Sequence, residues 1–107
     1  MAESRGRVTI AKNVLDTIVK LTTLSVQGVA RLGARNPLRR GGDGVHVDVS
    51  DNRVEVDVYV IVEPEANMRE VGRMIQSEIA RAMQEIVGME VSTVNVHVQD
   101  VEAAAGP

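Results

Sequence analysis

The chain predicts an α+β fold, a two-layer sandwich with two helices on one face of a mixed three- to four-stranded sheet. The element order is βαββαβ-like with a short first strand. Three observations lead there. Two stretches, 45–49 and 53–62, alternate apolar and polar residues with period two, the signature of strands with one buried face. Two others carry apolar residues at three- and four-residue spacing, as helices with one apolar stripe do. A last valine-rich stretch follows the second helix and runs parallel to a hairpin strand through a right-handed crossover. Single-faced helices and a single-faced sheet bury their apolar sides against each other in two layers.

The elements follow in order. Residues 1–6 are polar and expected to be flexible, and Val8-Thr9-Ile10 reads as the short first strand. A helix is expected from 11 to 26, its buried stripe being Ala11, Val14, Leu15, Ile18, Leu21, Thr22 and Ser25. Val26-Gln27-Gly28-Val29 reads as its glycine-capped end. Residues 31–44 hold four arginines, four glycines and a proline without a period, which reads as a long flexible loop. Val45-His46-Val47-Asp48-Val49 is the next strand. The turn Ser50-Asp51-Asn52-Arg53 follows, its Asp-Asn pair tolerating the positive φ of a tight hairpin. Pairing Ser50 with Arg53 sets Val49 against Val54, Val47 against Val56 and Val45 against Val58, so the valines of both strands share a face.

The strand 53–62 is the longest in the chain and reads as the central one. Its outward face changes from Glu55 and Asp57 to Tyr59 and Ile61. Glu63-Pro64-Glu65-Ala66 breaks it. Asn67 then caps a helix with Glu70 at the capping-box position. That helix runs to Val87 with Val71, Met74, Ile75, Ile79, Ala82, Met83 and Ile86 inward, and Arg81 stands at pairing distance from Glu85. Gly88 ends it. Val94, Val96 and Val98 alternate with Asn95, His97 and Gln99 in the closing strand, and 102–107 reads as a disordered alanine-rich tail. Residues 7–101 thus form a single domain.

Composition bounds the function. At 107 residues, folding buries roughly 65% of the surface of the unfolded chain, enough for one independent core. With no Phe or Trp and one Tyr, that core is aliphatic. A formal charge of −3 argues against a dominant nucleic-acid role. The absence of cysteine excludes thiol catalysis and cysteine-based zinc sites and fits a cytoplasmic setting. No run reaches the ~18–20 apolar residues of a membrane span. The charged first residues have no apolar stretch behind them, so no signal peptide is expected.

Few residues suggest chemistry. His46, Asp57 and His97 share the outward sheet face and could approach a divalent metal. Solvated charges on an open face explain them more simply, and no metal or other cofactor is expected. Tyr59 and Ile61 are apolar where the face should be wet, which marks them as candidates for self-association. Arg31, Arg35, Arg39 and Arg40 are candidates for contact with an acidic partner or lipid headgroups, against the simpler reading of a solvated loop. Gly41-Gly42-Asp43-Gly44 matches the GxxG of a KH module only literally, since that motif needs a helix on each side. A KH-like RNA-binding module is the alternative reading. No serine has His or Asp at a readable spacing, and no phosphate loop or dinucleotide fingerprint is present, so neither catalysis nor a small-molecule substrate is expected.

Taken together, several pieces resemble the bacterial alkaline-shock, or envelope stress response, protein family over residues 6–101. Gly6-Arg7-Val8-Thr9-Ile10 is similar to its opening, Val26-Gln27-Gly28-Val29 to its helix end, and the strands 44–47 and 54–62 to its hairpin. The helix 67–87, Gly88-Met89-Glu90-Val91 and Val94-Asn95-Val96-His97-Val98 complete the likeness. The arginine- and glycine-rich loop departs from it. The resemblance implies a non-enzymatic, homo-oligomeric scaffold in the cytoplasm. Such a protein would be held at the inner face of the cell membrane by a small membrane-anchored partner.

Overall fold

A computed structural model describes residues 6–34 and 44–103. Their elements are α1 (Lys12–Leu24), β1 (Val29–Leu32), β2 (Val45–Ser50), β3 (Arg53–Val62), α2 (Met68–Ala82), a π-helical turn (Met83–Val87) and β4 (Glu90–Val101). The α+β sandwich with two helices on a mixed four-stranded sheet is as expected. The order is αβββαβ, however. Residues 8–10 form no strand, and the first strand comes after α1, at Val29–Leu32.

β3 is the spine of the sheet. On one side it pairs antiparallel with two short strands in succession, β2 along Arg53–Val58 and β1 along Val60–Val62. On the other side it pairs in parallel with β4 along its whole length. The hairpin register is the expected one, from Ser50↔Arg53 to Val45↔Val58. Asp51 and Asn52 both take positive φ, 50° and 62°, as a two-residue hairpin turn requires.

The valines that β3 turns inward, Val54, Val56, Val58, Val60 and Val62, are fully buried. They pack with Val45 and Val47 against Leu15 and Val19 of α1 and against Val71, Ile75, Ile79 and Met83 of the second helical segment. Each such aliphatic contributes about 1.5–3 kcal/mol on burial, so the core sums many small terms. α1 is rotated from expectation. Its buried residues are Leu15, Val19 and Thr23, while Val14 and Leu21 are exposed. Apolar residues ring this helix, so spacing did not single out one face. Thr23 is tolerated inside because its hydroxyl donates to the Val19 carbonyl (2.7 Å).

Gly28 makes the turn from α1 into β1 at φ 101°. A Cβ there would lie 2.7 Å from Val71 Cγ2, so only glycine lets the turn pack on α2. α2 starts at Asn67, whose side chain accepts from the Glu70 N–H (3.0 Å). Arg81 pairs with Glu78 at 3.1 Å rather than with Glu85, because the α-helix ends at Ala82 and the wider π turn carries Glu85 away. The Met83 carbonyl then accepts from both Gly88 and Met89 N–H groups, with Gly88 left-handed at φ 79°.

Candidate functional site

The helices cover one side of the sheet and leave the other open. β3 lays Glu55, Asp57, Tyr59 and Ile61 along that open face in sequence, and β4 brings its own outward side chains alongside in parallel register. The middle of the face is a bonded cluster. His97 stacks on Tyr59 with ring centroids 4.5 Å apart and planes 12° from parallel. His97 Nε2 lies 3.0 Å from Asp57 Oδ1, and Asn95 Nδ2 donates to the same oxygen (3.2 Å). The His97 hydrogen bond, and then that from Asn95, holds the Asp57 carboxyl below the ordinary aspartate range against the opposing pull of its partial burial.

His46 is paired with Asp57 in register, yet its ring meets Asp48, 3.3 Å from Oδ2. His46, Asp57 and His97 therefore share the face as expected, but His46 turns toward its own strand. Among the described residues no group of three or more His, Cys, Asp or Glu is placed to hold a metal ion.

Beyond Tyr59 two polar straps cross β3. Gln99 reaches from β4 to the end of β1, where its Oε1 accepts from the Ala34 N–H (2.9 Å) and its Nε2 donates to the Ala34 carbonyl (2.7 Å). Gly33 makes room for it, since a Cβ at that position would collide with the Gln99 amide. The second strap is Arg31 to Glu102, two bonds of 3.0 Å each. Its hydrogen bonds raise the Arg31 guanidinium and lower the Glu102 carboxyl relative to their ordinary values. Arg31 stands directly opposite Ile61 on β1, so a bridge from it to the far side of β3 passes over Ile61. Ile61 is only 4% exposed.

These positions revise the sequence expectations. Ile61 is covered within the monomer, which removes it as an exposed self-association contact, while Tyr59 stays half-buried on the face. Arg31 belongs to a strand and an ion pair, not to a loop. Arg35, Arg39 and Arg40 lie outside the described residues, as do residues 1–5, the rest of the loop to 43, and 104–107 of the tail. Glu102, expected in that tail, donates its N–H to the Val62 carbonyl (2.9 Å) and continues the sheet. The described end of the GxxG match, Gly44, leads into β2 rather than into a helix. Gln99 and Asn95 were not singled out in the sequence, where they read as ordinary outward polar residues, and Glu102 read as part of the tail. The one available signal was Gly33, a glycine with no turn to explain it.

Two grooves lie elsewhere. One, between the end of α1 and the start of α2, is lined by Glu63, Glu65, Glu70 and Glu78 around Gly28 and Met74. The other, under the N-terminal segment, is lined by Val8, Ile10, Leu15, Val49 and Met89 together with Lys12, Asp48 and Asn52. Among the described residues no helix is long and apolar enough to cross a membrane.

The fold and this face define a small open-faced α+β sandwich whose exposed sheet is cross-tied by polar side chains. The chain belongs to the ASP23 family, a family of cell envelope-related function, whose family model matches residues 1–103. The alkaline-shock resemblance is thereby shown. The chain is 25% identical over 107 residues to the uncharacterized protein YqhY of Bacillus subtilis, covering 91% of this chain and 78% of that one. It is 27% identical over 108 residues to the uncharacterized protein Spy1535 of Streptococcus pyogenes, covering 95% and 84%. Among solved structures, the MamM CTD superposes with a TM-score of 0.60 at 12% identity, covering 87% of this chain and 99% of that one. A copper form of a MamM CTD variant gives 0.63 at 10% identity, covering 86% and 100%. At such identities the likeness shows the fold alone.

Proposed function

We propose that this protein is a non-enzymatic, self-associating scaffold of the cell envelope. On this reading it is held at the inner face of the membrane by a small membrane-anchored partner. Membership of a family of cell envelope-related function supports the setting. The observation that carries the scaffold reading is the open sheet face itself. Its centre is the half-exposed Tyr59–His97 stack, a flat aromatic surface ringed by bonded polar groups. Aromatic groups already held in one rotamer lose little entropy on contact and are favoured at interface centres. The straps on one side and the Asp57 cluster on the other keep the surface in shape before any partner arrives. Arg35, Arg39 and Arg40 supply contacts to acidic groups of the partner or of lipid headgroups.

The test is Tyr59→Ala, followed by light scattering at high protein concentration and by fractionation of cells. The parent is expected to assemble and to be enriched with membranes. The variant should lose assembly mass with its far-UV circular dichroism unchanged. A parent that stays monomeric at high concentration and shows no membrane enrichment overturns the proposal.

A further inference from the structure

We infer that the outward ridge of α1 is a docking surface for a single α-helix of a partner protein, an amphipathic helix with an acidic residue beside its apolar seam. The inference concerns a face that the open sheet does not use, and it stands whether or not the chain self-associates.

Spacing supplies the first argument. α1 packs on the core through Leu15, Val19 and Thr23. At about 100° per residue, the direction opposite these three is held by Val14, Thr17, Leu21 and Leu24. A surface helix places polar residues there, and a helix that is apolar all round is normally covered. Here Val14, Leu21 and Leu24 are 45%, 64% and 47% exposed. Thr17 is exposed as well, and its hydroxyl is already committed, donating to the Asn13 carbonyl (2.9 Å). The four residues stand at i, i+3, i+7 and i+10, the a–d–a–d spacing of a coiled-coil seam.

The width of the ridge selects a helix as its occupant. A helix that lies in a lipid surface buries a broad apolar face and carries many Lys and Arg on the other. A stripe of a and d positions alone is narrower and is filled by one facing helix. The ridge is bordered by Asn13 and Lys20 on one side and by Ile18 and Ser25 on the other. Lys12 and Lys20 are the only basic residues of α1. From Val14 to Leu24 the seam is about 15 Å long, the length of roughly three turns of a partner helix.

Charge selects the chemistry of that helix. Lys20 takes a g position level with the middle of the seam, where coiled coils pair opposite charges. Among the described residues it joins no ion pair. Asp16, one turn earlier and the only acid in α1, has its Oδ1 buried. An Asp or Glu at the middle of the partner's seam would meet the Lys20 ammonium. A second copy of α1 has no acid at Asn13, Ile18, Lys20 or Ser25 and offers Lys20 no opposite charge. The flank at Ser25 ends on the groove of Glu63, Glu65, Glu70 and Glu78, so the partner's acid belongs beside Lys20 and not at that end.

The test titrates the isotope-labelled full chain with a synthetic helix and follows the amide NMR signals. The helix has Leu at a and d, Glu at e and g of its central heptad, and Gln at e and g elsewhere. Shifts are expected at Val14, Thr17, Leu21 and Leu24 and their neighbours. Leu21→Ser should weaken binding at least about tenfold, the scale of burying one aliphatic side chain, with circular dichroism unchanged. Lys20→Glu should reverse the preference between this peptide and one with Lys in place of the central Glu. A peptide that moves no signal of the ridge, or a preference that survives Lys20→Glu, overturns the inference. It is also overturned if neither peptide binds while Leu21→Ser abolishes cosedimentation with phosphatidylglycerol vesicles, or a dimer in sedimentation velocity. The occupant is then a lipid surface or a second copy.

Discussion

Asp57 is the residue through which acid reaches the open face. Bonds from His97 and Asn95 lower its folded-state pKa from the ordinary 3.8. A carboxyl lowered on folding adds stability that is fully present above its unfolded pKa and is lost as pH falls through the lowered value. The difference in melting temperature between the parent and Asp57→Asn should therefore be constant near neutrality. It should shrink as pH drops from the ordinary aspartate range downward. Thermal unfolding followed by circular dichroism across an acid series checks this, and a gap that does not narrow would assign the pair no role in stability. The same scale shows how far the sequence could be read. Period two correctly put His97 and Asp57 on one face. It could not say that His46, directly opposite Asp57, would turn to Asp48, because alternation fixes the side of a sheet and not the rotamer.

Among the elements, the straps make the sharpest prediction. Gln99 ties β4 to the end of β1, and Gly33 is small so that it can. Gly33→Ala should cost roughly 1–2 kcal/mol, the scale of losing hydrogen bonds from a partly covered site. In a Gln99→Ala background the same change should cost little. A double-mutant cycle in urea measures the coupling; additive losses would mean that glycine serves the backbone and not the glutamine. The hairpin, the Asn67 cap, the Gly88 stop and the closing strand were all legible, because each has a local cause: alternation, a side-chain cap, a left-handed residue. β1 was not. Val-Ala-Arg-Leu is too short and mixed to show a period, and it becomes a strand only because β3 offers Val60–Val62 an edge that β2 leaves unpaired. Val8-Thr9-Ile10 has the better β composition but finds no such edge, which is tertiary context outweighing propensity. The straps were illegible for a related reason: their partners are 65 and 71 residues apart.

For the whole molecule, one residue of β3 holds both the end of β1 and the start of β2. Tyr59 accepts from the Gly33 N–H (2.6 Å) and donates to the Gly44 carbonyl (2.8 Å), so the chain leaves the sheet and returns to it at the same rung. Whatever lies between is attached at two adjacent points. Closing a longer flexible segment costs only about 0.6 kcal/mol per doubling. Exchange of residues 35–43 for a short glycine–serine segment, or for one twice as long, is therefore expected to retain a cooperative melt, with a shift of a few degrees at most. Differential scanning calorimetry of the exchanged chains reads this directly, and loss of the cooperative transition would show that the segment is part of the fold. Insertions at this rung, or a new set of charges there, should then leave the sandwich beneath as it is.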